Sequence, residues 1–245
     1  MYDDLERPTL RATALQHALE QDGYRIEVLE SVTSTNALVA ERARAGEPHG
    51  LVIVAEEQTA GRGRLDRSWV SPPRAGLTFS LLLRPTEVTG WVPLLAGLGV
   101  AQALRRQAEV EAVLKWPNDV LIGDRKVCGL LAEAGAGAVV VGVGLNVTTR
   151  RDELPVPEAT SLLLEGAVTT DRDTILRAIL RAMSDALGDH TFGAYRELCS
   201  TLGREVRLDL PDGTSVAGTA ETVDDQGRLV VDGIGYAAAD VIHLR

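Results

Sequence analysis

Lysine is nearly absent from this 245-residue chain. Of its 25 basic residues, only Lys115 and Lys126 are lysines, and all the others are arginines. Arginine evidently serves wherever a surface charge suffices, so a retained lysine indicates a need for ammonium, a compact point charge, rather than a planar guanidinium fork. The two lysines lie within a dozen residues of each other, around the sequence Trp116-Pro117-Asn118-Asp119. This stretch is therefore a candidate functional region.

Several features of exported, membrane or metal-binding proteins are also missing. The chain opens with the acidic sequence Met1-Tyr2-Asp3-Asp4 and has no early apolar stretch, so we expect no signal peptide. Its apolar runs are far shorter than a bilayer span, so no membrane is expected as a partner. Cys128, Cys199 and four scattered histidines show no metal-ligand spacing. We therefore expect a protein of a reducing, cytoplasmic compartment.

Positive charge is scarce overall, since the formal net charge is -10. A broad nucleic-acid interface needs clustered Lys and Arg to release counterions, so such an interface is not expected. The hydrophobic fraction of 45% is sufficient for a proper core. The length suits one large domain, or one domain of roughly 200 residues with a small appendage.

The two common phosphate-binding motifs are absent. The dinucleotide fingerprint G-x-G-x-x-G fails at Gly61-Arg62-Gly63, where Asp66 stands at the third glycine position. It fails again at Gly142-Val143-Gly144, where Val147 stands at that position. No segment fits G-x-x-x-x-G-K-[ST]. A phosphate site in this chain would therefore be neither a P-loop nor a standard dinucleotide turn.

What the chain does contain is a basic, glycine-rich loop, Gln58–Trp69, between two apolar runs that predict strands over 51–56 and 76–83. Four arginines and a single aspartate lie between Gln58 and Arg74. Glycine lets a backbone approach a ligand closely, and the arginine fork matches phosphate or carboxylate oxygens. The basic loop therefore predicts a site for a compact anion. The alternative is a solvated, arginine-bearing surface hairpin.

The remaining pattern predicts alternating helices and strands, followed by a run of short strands. Helices are predicted over 8–22, 37–45, 91–108 and 174–202, and further strands over 24–29, 112–114, 120–122, 126–133 and 139–147. Short strands over 205–210, 215–223 and 228–232, with turn signals between them, predict a small antiparallel barrel or sandwich. Residues 148–170 predict an irregular connection.

Two further features point to a small ligand: a polar turn and a pair of glycines within a strand. The turn Ser31–Asn36 supplies five hydroxyl and amide side chains at a predicted helix start, where capping needs only one. Capping is the simpler interpretation, but the surplus groups could bind a polar ligand. Gly142 and Gly144 lie inside a predicted strand, where glycine often marks the close approach of a ligand or another backbone.

The order of these motifs resembles the biotin protein ligase family. The resemblance covers most of the chain and rests on Ser34-Thr35-Asn36, on Glu57–Arg64 with Arg67 and Trp69, on Lys115–Asp119, on Lys126 with Gly129, and on Gly142–Val147. It implies an α+β fold. A mixed β-sheet catalytic domain flanked by helices, distantly like class II aminoacyl-tRNA synthetases, would span residues 1–202. A small C-terminal SH3-like β-barrel would span 203–245.

Two departures from the family pattern modify this expectation. Family members that double as repressors begin with a helix-turn-helix domain, whereas only 33 residues precede Ser34 here, so we expect no DNA as a partner. Cys128 stands where the family commonly has alanine, and we interpret it as a small buried residue rather than a nucleophile.

The resemblance implies a two-step reaction with biotin and ATP as substrates and Mg²⁺ as cofactor. Biotin and ATP would form biotinyl-5′-AMP, and a lysine of a biotin carboxyl-carrier domain of acyl-CoA carboxylases would then accept the biotinyl group. Positive charge must neutralise two anionic reactants, which requires preorganised cations rather than a protein nucleophile. The positions that match the family's catalytic cations are Lys126, Arg64 and Arg62.

The resemblance also implies binding roles. The positions for biotin are Ser34, Thr35, Asn36, Gln58, Arg62, Gly63, Arg64, Lys126 and Gly129. Those for the nucleotide are Arg64, Arg67, Trp69, Asn118, Lys126 and Asn146. Trp69 would stack on adenine, and Asp119 is a candidate magnesium ligand. The role of Lys115 stays open between a functional ammonium group and a tie to neighbouring backbone or carboxylates.

Two other functions are compatible with the sequence. One is a lipoate or octanoate ligase or transferase of the same superfamily. The other is a biotin sensor without ligase activity.

Overall fold

The computed structural model describes residues 7–65, 67–86, 90–188 and 191–244. A seven-stranded mixed sheet forms the larger part of the fold, in the order β1-β2-β3-β7-β6-β5-β4, with β1 and β2 parallel and the other neighbours antiparallel. Its strands are β1 Arg25–Leu29, β2 Leu51–Ala55, β3 Gly76–Leu83, β4 Ala112–Lys115, β5 Asp119–Ile122, β6 Arg125–Gly135 and β7 Ala138–Asn146.

Helices cover both faces of this sheet because its central strands are apolar on both sides. The helices are α1 Ala12–Leu19, α2 Thr35–Arg44, α3 Trp91–Gln107, α4 Arg172–Gly188 and α5 Phe192–Leu198. Successive strand residues point to opposite faces. Val52 and Val54 accordingly belong to the large core with α3 and α4, whereas Leu51 and Ile53 pack in a smaller cluster with α2.

The two longest helices, α3 and α4, pack closely at Gly99. A Cβ atom at this position would lie 2.6 Å from the backbone of Met183, so only glycine allows this approach. Trp91, at the start of α3, is buried and stacks on Phe192 of α5, with 4.3 Å between ring centroids. These contacts hold the helical layer on one face of the sheet.

The register of the sheet gathers the sequence motifs at one end. Gly76 at the start of β3 pairs with Asn146 at the end of β7, and Asp119 at the start of β5 pairs with Gly129 of β6. The basic loop connects β2 and β3 at this same end. Motifs that are far apart in sequence are therefore neighbours in the fold.

A five-stranded antiparallel sheet follows beyond residue 203, in the order β11-β10-β9-β8-β12. Its strands are β8 Glu205–Asp209, β9 Ser215–Val223, β10 Leu229–Val231, β11 Ile234–Tyr236 and β12 Asp240–His243. We call this unit the barrel. Together with the mixed sheet it confirms the predicted α+β fold with a small C-terminal β domain, while the exact boundary between 202 and 203 stays a prediction.

Several predicted element bounds were wrong. The second helix begins at Thr35 rather than residue 37, because Ser34 caps it by accepting a hydrogen bond from the Ala37 amide. The helix predicted over 174–202 is two helices, α4 and α5, and residues 189–190 between them lie outside the described residues. The short strands β11 and β12 were missed.

Among the residues described, no helix is both long and apolar enough to cross a membrane. Cys128 is fully buried, as predicted, and burial raises the pKa of its thiol well above the ordinary value. Such a thiol is protonated and unreactive at neutral pH, which supports its interpretation as a packing residue.

Candidate active site

All the site residues predicted from the sequence line one cavity of about 480 Å³ at the motif-bearing end of the sheet. They are Ser34, Thr35, Asn36, Gln58, Arg62, Gly63, Arg64, Arg67, Trp69, Asn118, Asp119, Lys126, Gly129 and Asn146. Lys115 is not among the lining residues. The cavity is therefore the candidate active site, and the predicted residues other than Lys115 line it.

One part of the site is a set of polar side chains, which we call the polar cluster: Ser34, Thr35, Asn36 and Gln58, which line the cavity, and the buried Ser80, which bonds to Thr35 and Asn36. Gln58 Oε1 accepts from the Thr35 backbone amide at 2.8 Å and from the Thr35 hydroxyl at 3.1 Å. Ser80 Oγ donates to Asn36 Oδ1 at 2.6 Å and lies 2.7 Å from Thr35 Oγ1. These bonds fix the orientation of each group before any ligand arrives.

The amide of Asn36 is fully used inside the protein. Its Nδ2 donates to the Leu131 carbonyl at 3.2 Å and to Glu133 Oε2 at 2.8 Å, and its oxygen accepts from Ser80. A Cβ atom on Gly142 would overlap the Asn36 side chain. Asn36 therefore joins α2 to β3, β6 and β7, and the glycine in β7 is required for that contact.

The basic loop folds back on itself through its own backbone. The Trp69 amide donates to the Gly61 carbonyl at 2.9 Å, and the Gly63 amide donates to the Arg67 carbonyl at 2.6 Å. A Cβ atom on Gly61 would overlap the Trp69 carbonyl, so this position requires glycine. The loop is thus a tight hairpin in which the side chains of Arg62 and Arg67 are exposed and that of Arg64 is half-buried.

Each arginine of this hairpin has a partner from a different part of the fold. Arg62 pairs with Glu133 of β6 at 3.5 Å. Arg64 donates to Asn118 Oδ1 at 3.0 Å and to the Ala239 carbonyl of the barrel at 3.4 Å. Arg67 pairs with the Asp240 carboxylate at the start of β12. The barrel therefore contributes to the candidate active site.

Lys126 extends along the cavity wall from the start of β6. Its Nζ lies 2.6 Å from Asp119 Oδ1 and 6.0 Å from the centroid of the Trp69 ring. Its backbone amide donates to the Glu158 carbonyl at 2.7 Å, and its carbonyl accepts from the Thr160 amide at 2.8 Å. Residues 158–160 of the irregular connection thus fix the base of this side chain.

Trp69 lies against the two strand glycines of the cavity. A Cβ atom on Gly144 would overlap the indole ring, and one on Gly129 would lie 3.3 Å from it. The indole Nε1 is buried and has no hydrogen-bond partner among the residues that the structure describes. A buried donor without a partner is costly, so a ligand oxygen or a change of ring position would relieve this arrangement.

Two further asparagines of the cavity, Asn118 and Asn146, donate to backbone carbonyls. Asn118 Nδ2 donates to the Leu130 carbonyl at 3.1 Å, and Asn146 Nδ2 donates to the Thr160 carbonyl at 2.9 Å. Trp116, in the same corner as Asn118, is buried and donates from its indole Nε1 to the Gly227 carbonyl at 3.1 Å. The corner is therefore fixed by the sheet on one side and by the barrel on the other.

Burial affects two cations in and beside the cavity. It lowers the pKa of the Arg64 guanidinium, with nearby Asp119 acting in the opposite direction. It also lowers the pKa of Lys115, and Lys126 and Arg67 lower it further while Asp119 raises it. Partly desolvated positive charge of this kind favours the binding of an anion.

The sequence reasoning missed, among others, three polar residues that bond the predicted site residues. Ser80 gives a weak signal, as a polar residue inside an otherwise apolar run, and it is completely buried. Glu133 and Asp240 give no local signal, because their importance comes from contacts with Arg62 and Arg67 that are distant in sequence.

A second cavity of about 690 Å³ lies on the barrel side of the basic loop. It shares Arg62, Gly63 and Arg64 with the first cavity but adds Pro93 of α3 and Arg228 of the barrel. It contains neither the polar cluster nor Lys126. The basic loop is therefore the wall between the cavity that carries the predicted site residues and a second, larger cavity.

Comparison with known proteins agrees with this arrangement. The model of the biotin/lipoate A/B protein ligase family matches residues 28–149, and that of the biotin protein ligase C terminal domain matches residues 201–242. The chain is 40% identical to the biotin–[acetyl-CoA-carboxylase] ligase of Mycobacterium tuberculosis, over 99% of this chain and 98% of that protein. It is 31% identical to the bifunctional ligase/repressor BirA of Escherichia coli, over 93% and 75% of the two chains.

A solved structure gives the same result for the fold. The biotin protein ligase from Aquifex aeolicus, in complex with biotin and ATP, superposes with a TM-score of 0.77 at 30% sequence identity. The match covers 90% of this chain and 99% of that one. With the motifs, the fold and these similarities together, the chain belongs to the biotin protein ligases of the biotin/lipoate A/B protein ligase family.

Proposed function

We propose that this chain joins biotin to a lysine of a biotin carboxyl-carrier domain of acyl-CoA carboxylases, through a biotinyl-5′-AMP intermediate. The observation that carries the proposal is the convergence of every predicted biotin and nucleotide position on one cavity of about 480 Å³. This volume is of the size typical of small-molecule sites.

In the first step, a carboxylate oxygen of biotin attacks the α-phosphorus of ATP. The bond from that phosphorus to the bridging oxygen breaks, and pyrophosphate leaves. Both reactants are anions, so the main barrier is their mutual repulsion. Lys126 and Arg64, on the wall of the same cavity, are the cations we assign to this step, with Arg62 beside them.

Arg64 is suited to this role because its own hydrogen bonds go to neutral oxygens, those of Asn118 and the Ala239 carbonyl. Its charge is therefore only partly compensated, and it is partly desolvated. Lys126 carries a carboxylate partner, Asp119, at 2.6 Å, which positions the ammonium group. A ligand carboxylate or phosphate placed between the two cations would be strongly stabilised.

The polar cluster would bind the ureido ring of biotin, and Trp69 with Asn118 and Asn146 would bind the nucleotide. The cluster presents fixed oxygens and amides from Ser34, Thr35 and Gln58, which suits a small planar group with both donors and acceptors. Gly129 and Gly144 leave space for the indole ring of Trp69 to lie beside the sheet.

In the second step, the amine nitrogen of the acceptor lysine attacks the acyl carbon of the mixed anhydride. The bond from that carbon to the phosphate oxygen breaks, AMP leaves, and the amine loses its proton to solvent or base. The chain has a net charge of -10, whereas the basic loop carries Arg62, Arg64 and Arg67 and is locally positive, so the loop is the region that would attract an acidic acceptor.

Magnesium would accompany the nucleotide. Among the residues that the structure describes, no group of three or more His, Cys, Asp or Glu side chains could hold a metal ion, so an all-protein cage does not fit. A Mg²⁺ ion that is bound to a nucleotide needs only one or two protein carboxylates, because phosphate oxygens and water complete its coordination shell. Asp119 fits this need as the single protein ligand, and the ion would neutralise phosphate charge.

The test is the intact mass of a carrier domain after incubation with the full chain, biotin and Mg·ATP. We expect a gain of one biotinyl group, and Lys126→Ala should slow this gain by about a hundredfold, as for removal of a group that stabilises transition-state charge. The matched control is Arg125→Ala, because this neighbouring cation pairs with Glu165 instead.

The other outcomes separate the alternatives. A gain with lipoate or octanoate but not with biotin would assign the chain to that branch of the superfamily. Tight biotin binding without formation of AMP would indicate a sensor. Equal losses in Lys126→Ala and Arg125→Ala would refute the role of Lys126.

A further inference from the structure

The barrel is fixed to the mixed-sheet part of the chain next to the cavity. The indole Nε1 of Trp91 donates to the Asp224 carbonyl at 3.1 Å, and that of Trp116 donates to the Gly227 carbonyl at the same distance. Gly90 and Gly227 approach so closely that neither would accept a Cβ atom. The position of β12 relative to the basic loop is therefore set by packing.

From this position, the start of β12 contacts the basic loop twice. The Ala239 carbonyl accepts from Arg64, and the Asp240 carboxylate pairs with Arg67. Asp240 also lines the cavity, and its side chain is 26% exposed against 66% for Arg67. The barrel thus places one carboxylate at the edge of the site where the nucleotide phosphates are proposed to bind.

The two arginines are therefore in different electrostatic states. Arg64 hydrogen-bonds neutral oxygens, whereas the charge of Arg67 is compensated by a carboxylate. A nucleotide phosphate offers the same guanidinium more negative charge and more acceptor oxygens than one carboxylate does. An exposed ion pair is weak enough to be exchanged for such a partner.

We propose that Asp240 is a positioning residue whose carboxylate pairs with Arg67 where a nucleotide phosphate would otherwise pair with it. It holds Arg67 in the ligand-free protein, and the arginine exchanges this carboxylate for the nucleotide. This inference rests on the proposed function. An interaction that exists only in the ligand-free state opposes binding, so its loss should strengthen the binding of nucleotide and intermediate.

The experiment compares full-length wild type with Asp240→Asn in the biotin-adenylation reaction. We expect KM for ATP to fall about threefold and the release of biotinyl-5′-AMP to slow by a similar factor. The effect is small because the ion pair that is lost is exposed and therefore weak. Binding of biotin without nucleotide should be unchanged. The control is Asp209→Asn, the same charge change on the partner strand, where the carboxylate is held by Arg207 and Ser215.

A double-mutant cycle completes the test. If Asp240 acts through Arg67, then Asp240→Asn should have no effect in an Arg67→Gln background. A raised KM for ATP in Asp240→Asn, or values equal to those of Asp209→Asn, would overturn the inference. If wild type forms no biotinyl-5′-AMP, the proposed function fails instead, which is a separate result.

Discussion

The polar cluster and the basic loop line the same cavity but are held by different kinds of contact. In the polar cluster, Thr35 and Ser80 are 2% and 0% exposed, and their bonds are to other protein groups. In the basic loop, the side chains of Arg62 and Arg67 are 51% and 66% exposed and pair with single carboxylates. A buried hydrogen bond is costly to break, whereas an exposed ion pair contributes little.

We propose that this difference corresponds to two functions within one site. The side chains of the polar cluster are already bonded within the protein, so their geometry would select the shape of the ligand. The arginines of the basic loop have partners that a stronger anion can replace, so the loop can respond to the ligand. Three changes, from the largest expected effect to the smallest, test this comparison.

The largest effect should come from Gly142→Ala. The added methyl group would overlap Asn36 and force the whole cluster to move. We expect a loss of about 1–3 kcal/mol in unfolding free energy, as for overpacking of a core, and at least a tenfold loss of biotin affinity. Denaturant unfolding and calorimetric titration with biotin measure the two quantities.

The control for this change is Gly135→Ala, also in a strand, where a Cβ atom would meet nothing within 4 Å. It should leave both quantities nearly unchanged. If Gly142→Ala behaved like this control, the cluster would be more adaptable than the structure indicates.

A smaller effect should come from Ser80→Ala. The change removes the donor to Asn36 Oδ1 and a partner of the Thr35 hydroxyl, in a place that water cannot reach. We expect a loss of about 1–2 kcal/mol in unfolding free energy, since a buried acceptor is left without its bond. Ser215→Ala, which removes an exposed hydroxyl bonded to Asp209, is the control. Similar midpoints in urea for both variants would contradict the prediction.

The smallest effect should come from Glu133→Gln. The variant keeps an oxygen that can accept from Asn36 Nδ2 but removes the charge opposite Arg62. We expect a change of less than about 1 kcal/mol in unfolding free energy, because both partners are exposed. The change should also decrease as salt is added. A loss larger than that of Ser80→Ala would show that the basic loop is held as firmly as the cluster.

Much of this fold could be predicted from local pattern. The fully apolar β2 and the amphipathic α3 gave correct elements because burial alone determines their residue types. The strands β11 and β12 were missed; they are short edge strands of the barrel sheet, and β11 has Gly235 at its centre. Such short segments are stable only through pairing with β10 and β8, which a local pattern does not contain.

The candidate site divides in the same way. The alternation Gly61-Arg62-Gly63-Arg64 predicts an anion-binding loop in the sequence, because glycine lets the backbone approach a ligand and guanidinium matches anionic oxygens. Ser80, Glu133 and Asp240 could not be assigned to the site from their neighbours in sequence. Their contacts depend on strand register and on how the barrel packs.

The sequence by itself determined the chemistry available to this protein: two lysines near a rigid corner, a basic loop in an acidic chain, and a surplus of polar groups at a helix start. Only the tertiary structure decided which groups are already satisfied and which are free to meet a ligand. Hydrogen bonds and ion pairs between distant segments, such as those of Asn36 with Glu133 and of Arg67 with Asp240, form only when sheet register and domain packing bring them together.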